Sequence, residues 1–219
     1  MTDVAAARKR VASAARRLAA RGLVMGTAGN VSERLGERVA VTATGAALET
    51  LTADEVAVVD LSGAHLEGGL AATSELELHL GIYRRYDAGA VVHTHPPIGT
   101  ALSCVLDELP VIHYQMLALG GPVRVAPYAT FGSAELAATT VDALRDRNAA
   151  LMSNHGAVVR APDLRTGLEW SLLLEWACEM YWRAVAVGTP RTLDSGQQAD
   201  FHEAMAQLGY GEVRRRPGF

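Results

Sequence analysis

The feature that most constrains this chain is a pair of histidines directly after an apolar run. The run Ala-Val-Val at 90–92 leads into His93-Thr94-His95-Pro96-Pro97. The β-branched run predicts a buried strand that ends at the prolines, because proline cannot donate a hydrogen bond to a strand ladder. Side chains at positions i and i+2 of a strand point to the same side, so both imidazoles are expected to face one point.

A third histidine, His155, lies in Ser153-Asn154-His155-Gly156 and follows another apolar run at 149–152. Three neutral imidazoles with an open fourth position are a usual arrangement for catalytic zinc. Two alternatives stay open at this point. A histidine near a strand end is often a hydrogen-bonded structural residue, and other folds, cupins among them, also combine H-x-H with a distant histidine. The spacing therefore indicates a metal site without identifying an enzyme.

Length and charge limit the class of protein. A chain of 219 residues can bury a full core, and we expect one domain over 1–219. Lys plus Arg is 20 and Asp plus Glu is 24, so the net charge is −4 (20 − 24), which argues against nucleic acid as a partner. No apolar stretch is long enough to span a membrane, and the N-terminus lacks a secretory apolar core, so we expect a cytoplasmic protein. Cys104 and Cys178 are expected to be buried, reduced thiols.

Helical and strand patterns alternate irregularly along the chain. Helices are predicted at 3–22, 75–86, 98–105, 133–147, 163–187 and 194–208, and further strands at 38–42, 56–61, 109–114 and 123–126. This order indicates an α/β domain with a central sheet flanked by helices. Because several connections resemble hairpins, we expect a mixed, mostly antiparallel sheet.

Three loops of small residues could cradle an anion. They are residues 25–32, Thr42-Ala43-Thr44-Gly45 and Ala72-Thr73-Ser74-Glu75. Gly and Asn tolerate positive φ and expose backbone N–H groups, and hydroxyls at a helix N-terminus suit phosphate. Thr73 or Ser74 is predicted to cap the helix that starts at Glu75. By local sequence alone, Glu75 is only a first-turn capping residue.

Taken together, these stretches resemble the class II aldolase and adducin family, and within it the L-fuculose-1-phosphate aldolase branch. The resemblance covers nearly the whole chain. It is carried by the ordered set Gly26 to Ser32, Thr73-Ser74-Glu75, His93-Thr94-His95 and Asn154-His155-Gly156. Ile112-His113-Tyr114 and the stretch 126–132 are similar to the aldolase branch itself. The resemblance implies a three-layer α/β fold of one domain.

The resemblance also implies roles for the residues of the site. His93, His95 and His155 match zinc ligands, with one Zn²⁺ per subunit. Glu75 matches a catalytic acid/base that also ligates zinc when substrate is absent, so its implied role goes beyond helix capping. The implied phosphate-binding positions are Gly29, Asn30, Thr44, Gly45, Thr73 and Ser74.

The implied activity is the reversible cleavage of a ketose 1-phosphate to dihydroxyacetone phosphate and an aldehyde such as L-lactaldehyde. Tyr114 and Tyr210 match tyrosines that reach the site from a neighbouring subunit of a homotetramer and protonate the aldehyde oxygen. A Schiff-base aldolase needs a desolvated lysine, and Lys9, the only lysine, lies in a basic helix pattern. We therefore expect metal chemistry here.

Related activities stay open. A ribulose-5-phosphate 4-epimerase or a methylthioribulose-1-phosphate dehydratase would use the same type of site. The stretch Ile112-His113-Tyr114 favours the aldolase over the epimerase. A non-catalytic adducin-like scaffold would lack the histidines and Glu75, which this chain has. Thr73 stands where the nearest aldolases often have serine, and the tail Arg214-Arg215-Arg216 departs from the family pattern.

Overall fold

A computed structural model describes residues 3–208 and shows one central sheet in that part of the chain. The sheet contains nine strands in the described residues. They are β1 (Asn30–Leu35), β2 (Arg38–Thr42), β3 (Val56–Asp60), β4 (His65–Glu67), β5 (Ala90–Thr94), β6 (Glu108–Leu109), β7 (Val123–Ala126), β8 (Ala149–Met152) and β9 (Gly156–Ala161).

The order of the strands places β5 in the middle of the sheet. The order is β4-β3-β2-β1-β5-β9-β8-β7-β6. Every pair is antiparallel except β7 with β8, which is parallel. In the register, His93 of β5 lies opposite Asn30 of β1 on one side and Val158 of β9 on the other. The mixed, mostly antiparallel sheet that the sequence predicts is therefore confirmed.

Helices cover both faces of the sheet. They are α1 (Val4–Ala20), α2 (Leu76–Arg85), α3 (Pro97–Ser103), α4 (Ala134–Ala143), α5 (Leu164–Val187) and α6 (Ser195–Leu208). The alternation of side chains along β5 separates two cores: Val92 packs with α1, α3 and α5, while Val91 packs with α2 and α4. His93 is two residues after Val91, so its side chain lies on the same face of the sheet, the face covered by α2 and α4, which we call the α2 layer. There its ring contacts Glu75.

Two predicted elements differ from the structure. The strand predicted at 109–114 is reduced to β6, because Pro110 has no N–H to donate and the chain then turns into a 3₁₀-helix, Tyr114–Leu119. The helix predicted at 133–147 begins as expected after its N-cap Ser133 but ends at Ala143. Asp146 lies beyond that end with φ of 58°, which a right-handed helix cannot continue through.

The prediction that both cysteines are buried is half wrong. Cys178 of α5 is fully buried, and burial raises the pKa of its thiol. Cys104 is exposed, because it is the C-cap residue of the short helix α3, and its thiol donates to the Thr100 carbonyl at 3.3 Å. Within residues 3–208, none of the helices combines the length and apolar character that crossing a bilayer requires.

Candidate metal centre and active site

Three histidines from the middle of the sheet converge on one point. His93 is near the end of β5, His95 follows it directly, and His155 lies in the turn between β8 and β9. The Nε2 atoms of His93 and His95 are 3.0 Å apart. One ring nitrogen from each of the three histidines lies within 4.8 Å of the others. The structure therefore brings together the three predicted ligands in a group that could hold a metal ion.

The backbone around these histidines fixes where the rings point. Nδ1 of His93 lies 2.9 Å from the Ala157 carbonyl and donates to it, which leaves Nε2 as the ring nitrogen that faces the centre. The turn that carries His155 is tight: Asn154 has φ of 55°, and a Cβ on Gly156 would lie 2.4 Å from the Thr94 carbonyl oxygen. Glycine at 156 thus allows β9 to approach β5 beside the histidines.

Glu75 faces the three imidazoles from the first turn of α2. Its Oε2 lies 3.1 Å from Nε2 of His93, and its Oε1 lies 3.4 Å from Nε2 of His155. The predicted capping by Thr73 or Ser74 is wrong, because Glu75 itself is the N-cap residue and makes no side-chain cap. Instead, the Thr73 hydroxyl accepts a hydrogen bond from the Glu75 backbone N–H at 3.2 Å.

The donor set fits a metal ion. Oε1 of Glu75 is buried and has no hydrogen-bond partner among the described residues, although its carboxylate is aimed at the histidines. A buried oxygen of this kind normally has a partner. Three imidazole nitrogens and one carboxylate oxygen are ligands that zinc accepts.

Burial sets the protonation states that a metal site needs. Burial lowers the pKa of His95 to about 4, and the charges of His93 and His155 act in the same direction, so His95 is neutral at pH 7. Burial and the charge of His93 also lower the pKa of His155. Burial alone would raise the pKa of Glu75, but the hydrogen bond and charge of His93 outweigh it and hold that pKa well below its usual range. The carboxylate is therefore ionised, as a metal ligand must be.

A row of buried polar side chains runs away from Glu75 into the α2 layer. Asn30 Nδ2 donates to Glu75 Oε2 at 2.9 Å, and Asn30 Oδ1 lies 2.5 Å from His79 Nε2. Ser32 Oγ then lies 2.7 Å from both His79 Nδ1 and the Tyr83 hydroxyl. We call Tyr83, Ser32, His79, Asn30 and Glu75 the α2 polar chain. Of this set, our sequence interpretation assigned a role in the site only to Asn30 and Glu75.

A cleft of about 480 Å³ opens in front of the histidines. Glu75, His95 and His155 line one part of it, and the exposed aromatic side chains of Tyr128 and Phe131 lie at its rim. All six predicted phosphate positions line the same cleft: Gly29, Asn30, Thr44, Gly45, Thr73 and Ser74. The separate small-residue loops are thus brought to one place by the fold.

The predicted tyrosines and the lysine lie elsewhere. Tyr114 is not among the residues that line the cleft within this one chain. It starts the 3₁₀-helix and packs between His113, at a ring distance of 4.4 Å, and Phe201 of α6, at 5.2 Å. Tyr210 lies outside the described residues. Lys9 is exposed on α1, so it has neither the burial nor the position that a Schiff-base lysine needs.

Several known proteins are similar to this chain in sequence and in fold. The family described as Class II Aldolase and Adducin N-terminal domain matches residues 9–182. The 5-methylthioribulose-1-phosphate/5-deoxyribulose-1-phosphate aldolase of Rhodospirillum rubrum is 34% identical over 198 residues, which cover 90% of this chain and 89% of the relative. The L-fuculose phosphate aldolase of Escherichia coli K12 is 39% identical over 171 residues, covering 77% of this chain and 79% of the relative.

The structural comparison agrees. A solved structure of L-fuculose 1-phosphate aldolase matches with a TM-score of 0.87 at 30% identity, covering 91% of this chain and 96% of that one. The family match extends over most of the chain, and it includes the strand ends and the α2 N-terminus that form the cleft. The family resemblance predicted from the sequence is confirmed. The chain belongs to the class II aldolase and adducin family and is an enzyme of its lyase class.

Proposed function

We propose that this enzyme is a zinc-dependent aldolase that reversibly cleaves a ketose 1-phosphate to dihydroxyacetone phosphate and an aldehyde. The observation that supports this most directly is the position of Glu75. Its carboxylate contacts two of the three histidines in a cleft that the glycines and hydroxyl-bearing residues of the small-residue loops also line. Relatives named as aldolases of 5-deoxyribulose 1-phosphate and of L-fuculose phosphate support the substrate class.

The small-residue loops would hold the phosphate of the substrate. Glycine at 29 and at 45 has φ of 86° and 71°, a conformation that exposes backbone N–H groups toward an anion. The hydroxyls of Thr44, Thr73 and Ser74 line the same wall of the cleft. Hydrogen bonds from these groups would replace the water around a phosphate monoester.

His93, His95 and His155 would hold the zinc ion, which when bound supplies a Lewis acid that polarises the substrate carbonyl. In the direction of synthesis, Glu75 removes a proton from the hydroxylated carbon of dihydroxyacetone phosphate. The resulting enediolate forms the carbon–carbon bond with the aldehyde. In cleavage that bond breaks, its electron pair stays on the phosphorylated fragment, and Glu75 returns the proton. General acid/base catalysis of this kind commonly contributes about 10²–10⁴-fold.

We also propose that the enzyme acts in the cytoplasm as a homotetramer in which Tyr114 and Tyr210 serve the site of a neighbouring subunit. Tyr114 is partly exposed and does not line the cleft of its own chain, which is consistent with a role across an interface. A tyrosine hydroxyl there would donate a proton to the oxygen of the aldehyde.

The test is cleavage of a panel of ketose 1-phosphates, coupled to detection of dihydroxyacetone phosphate. The panel contains L-fuculose 1-phosphate, 5-deoxyribulose 1-phosphate, 5-methylthioribulose 1-phosphate and ribulose 1-phosphate. We expect chelation to abolish release and added Zn²⁺ to restore it, and we expect Glu75→Gln to stay inactive with zinc bound. The relative rates identify the preferred aldehyde.

No release from any substrate by the zinc-loaded enzyme would contradict the aldolase. The same preparation would then be assayed as a ribulose-5-phosphate 4-epimerase and as a methylthioribulose-1-phosphate dehydratase. If cobalt or manganese restores activity and zinc does not, the aldolase stands but its metal is different.

A further inference from the structure

The α2 polar chain is buried along its whole length, and only its Asn30–Glu75 end borders the cleft. Ser32 and His79 are 0% exposed, Tyr83 2%, Asn30 4% and Glu75 7%. Three of its members, Glu75, His79 and Tyr83, lie at intervals of four residues, so they share one face of the first turns of α2. The other two come from β1, which lies beside the histidine-bearing strand β5.

The hydrogen bonds of this chain can run in only one direction. The ionised Glu75 carboxylate accepts only, so Nδ2 of Asn30 must donate to it and Oδ1 must face the other way. Oδ1 is an acceptor, so Nε2 of His79 must carry a proton.

The remaining donors follow from this tautomer. Burial and the charge of His93 lower the pKa of His79 to about 3, against a smaller opposing contribution from Glu75, so the ring is neutral and has one proton. Nδ1 of His79 must then accept from the Ser32 hydroxyl, and the Ser32 oxygen accepts from the Tyr83 hydroxyl. Every donor therefore points toward Glu75.

We propose that His79 is a positioning residue, which fixes the Asn30 amide so that its Nδ2–H holds the Glu75 carboxylate against the three-histidine centre. Its importance for the reaction rests on the proposed function. Without the Nε2–H donor, the Asn30 amide could rotate by half a turn and present Oδ1 to the carboxylate, which would repel it. The neutral Asn30 amide orients the Glu75 carboxylate without adding a positive charge. A lysine or arginine in that position would lower the pKa of Glu75 and make it a weaker base.

Two substitutions at one position separate this role from simple packing. The side-chain nitrogen of Gln reaches about as far as Nε2 of histidine, and the side chain of Asn reaches only as far as Nδ1. His79→Gln therefore keeps the donor to Asn30 and loses the acceptor for Ser32. His79→Asn keeps the contact to Ser32 and loses the donor to Asn30. Tyr86→Phe is the matched control, since it removes a partly buried hydrogen bond, from the Tyr86 hydroxyl to the Val141 carbonyl at 2.7 Å, at the end of the same helix and outside the α2 polar chain.

The readouts are kcat, KM and the affinity for Zn²⁺ alone, measured by competition with a chromophoric chelator. We expect His79→Asn to lower kcat and to weaken zinc binding about 10–100-fold, with a smaller change in KM, because residues behind metal ligands have effects of that size. His79→Gln is expected to recover most of both losses. Tyr86→Phe is expected to lower the free energy of unfolding while kcat and zinc affinity stay close to those of the parent.

A purely structural role gives a different result. If kcat and zinc affinity in His79→Gln, His79→Asn and Tyr86→Phe fall only in proportion to the loss of stability in each variant, the proposal is wrong. If one of the variants does not fold, the tautomer of His79 can still be measured directly in the parent protein. We expect ¹⁵N NMR of the histidine-labelled parent, metal-free and zinc-loaded, to show His79 protonated at Nε2, and protonation at Nδ1 would overturn the proposal. Zinc affinity and the NMR signal do not depend on aldolase activity, so failure of the proposed function stays distinguishable.

Discussion

Individual histidines in this enzyme are held in their neutral form by the protein interior. Burial lowers the pKa of His79 to about 3 and that of His95 to about 4, and the charge of His93 contributes to both shifts. In the unfolded chain these rings return to a pKa of about 6.5. Between those values the unfolded state binds more protons than the folded state, so acid favours unfolding.

We predict that the metal-free protein loses stability as the pH falls from about 6.5 towards 3, and that His79 contributes a slope of up to about 1.4 kcal/mol per pH unit. Urea unfolding of the parent and of His79→Gln at a series of pH values, with a chelator present, measures this. His95 and His155 have shifts of the same sign and keep part of the slope in both proteins. Equal slopes in parent and variant would show that His79 is not the titrating group.

The convergence of the three histidines could be predicted from the sequence, and the α2 polar chain behind them could not. H-x-H at the end of an apolar run places His93 and His95 by the period of a strand alone. His79 is a single histidine inside a helix, and its partner Ser32 is remote in sequence, so only the fold brings them into contact. A signal did exist: Glu75, His79 and Tyr83 repeat every fourth residue and form a polar stripe on the inner face of a predicted helix.

At the scale of elements, the short helix α3 is held by its neighbour α5. Both oxygens of Glu175 accept backbone N–H groups from the first turn of α3, from Ile98 at 2.9 Å and from Gly99 at 2.8 Å. These N–H groups have no partner within their own helix. The same turn directly follows His95 and Pro96, so Glu175 also fixes the end of the segment that carries His93 and His95.

We predict that Glu175→Gln lowers the free energy of unfolding by about 1.5–3 kcal/mol, because one charged acceptor is lost and an amide N–H₂ faces a backbone N–H. Hydrogen exchange at the amides of Ile98 and Gly99 should accelerate. Glu169→Gln is the control on the same helix, since Glu169 makes only an exposed pair with Arg165 and should change stability by less than about 0.5 kcal/mol. If the amides of Ile98 and Gly99 keep their protection from hydrogen exchange in Glu175→Gln, Glu175 does not hold the first turn of α3.

Elements with a strong local pattern were predicted, and those defined by distant partners were not. The long helix α5 has its N-cap at Asp163 and its end at Val187, as the sequence predicts. Strand β1 begins at Asn30, inside a segment that the sequence presents as a loop, because its pairing with β5 decides its structure. The sequence analysis does not predict the 3₁₀-helix Tyr114–Leu119, which overlaps the strand predicted at 109–114 only at Tyr114 and ends at Gly120 with φ of 92°.

For the whole molecule, the proposed tetramer makes each active site a product of two chains. We predict that Glu75→Gln and Tyr114→Phe are each nearly inactive, and that equal amounts refolded together regain about a quarter of the parent activity. In a random cyclic mixture, each site has half a chance of an intact Glu75 and half a chance of an intact neighbouring Tyr114. The recovered activity is measured with the preferred ketose 1-phosphate.

The control for this mixture uses one chain that carries both substitutions. Glu75→Gln mixed with the double variant should recover no activity, because no site can contain an intact Glu75. Recovery in the first mixture would establish that Tyr114 acts from a neighbouring subunit. Failure of the first mixture, despite demonstrated exchange of subunits, would mean that Tyr114 acts within its own chain or not at all.

The central position of β5 also determines when the metal site can form during synthesis of the protein. Asn30 and His93 become neighbours only when β1 pairs with β5, and His155 arrives only with the β8–β9 hairpin on the other side. Each step closes a loop of about sixty residues, and such long-range pairing is slow compared with helix formation. A nascent chain that has not reached His155 holds an incomplete ligand set. In the growing polypeptide, the proposed three-histidine metal site can therefore be completed only after the middle of the sheet has formed.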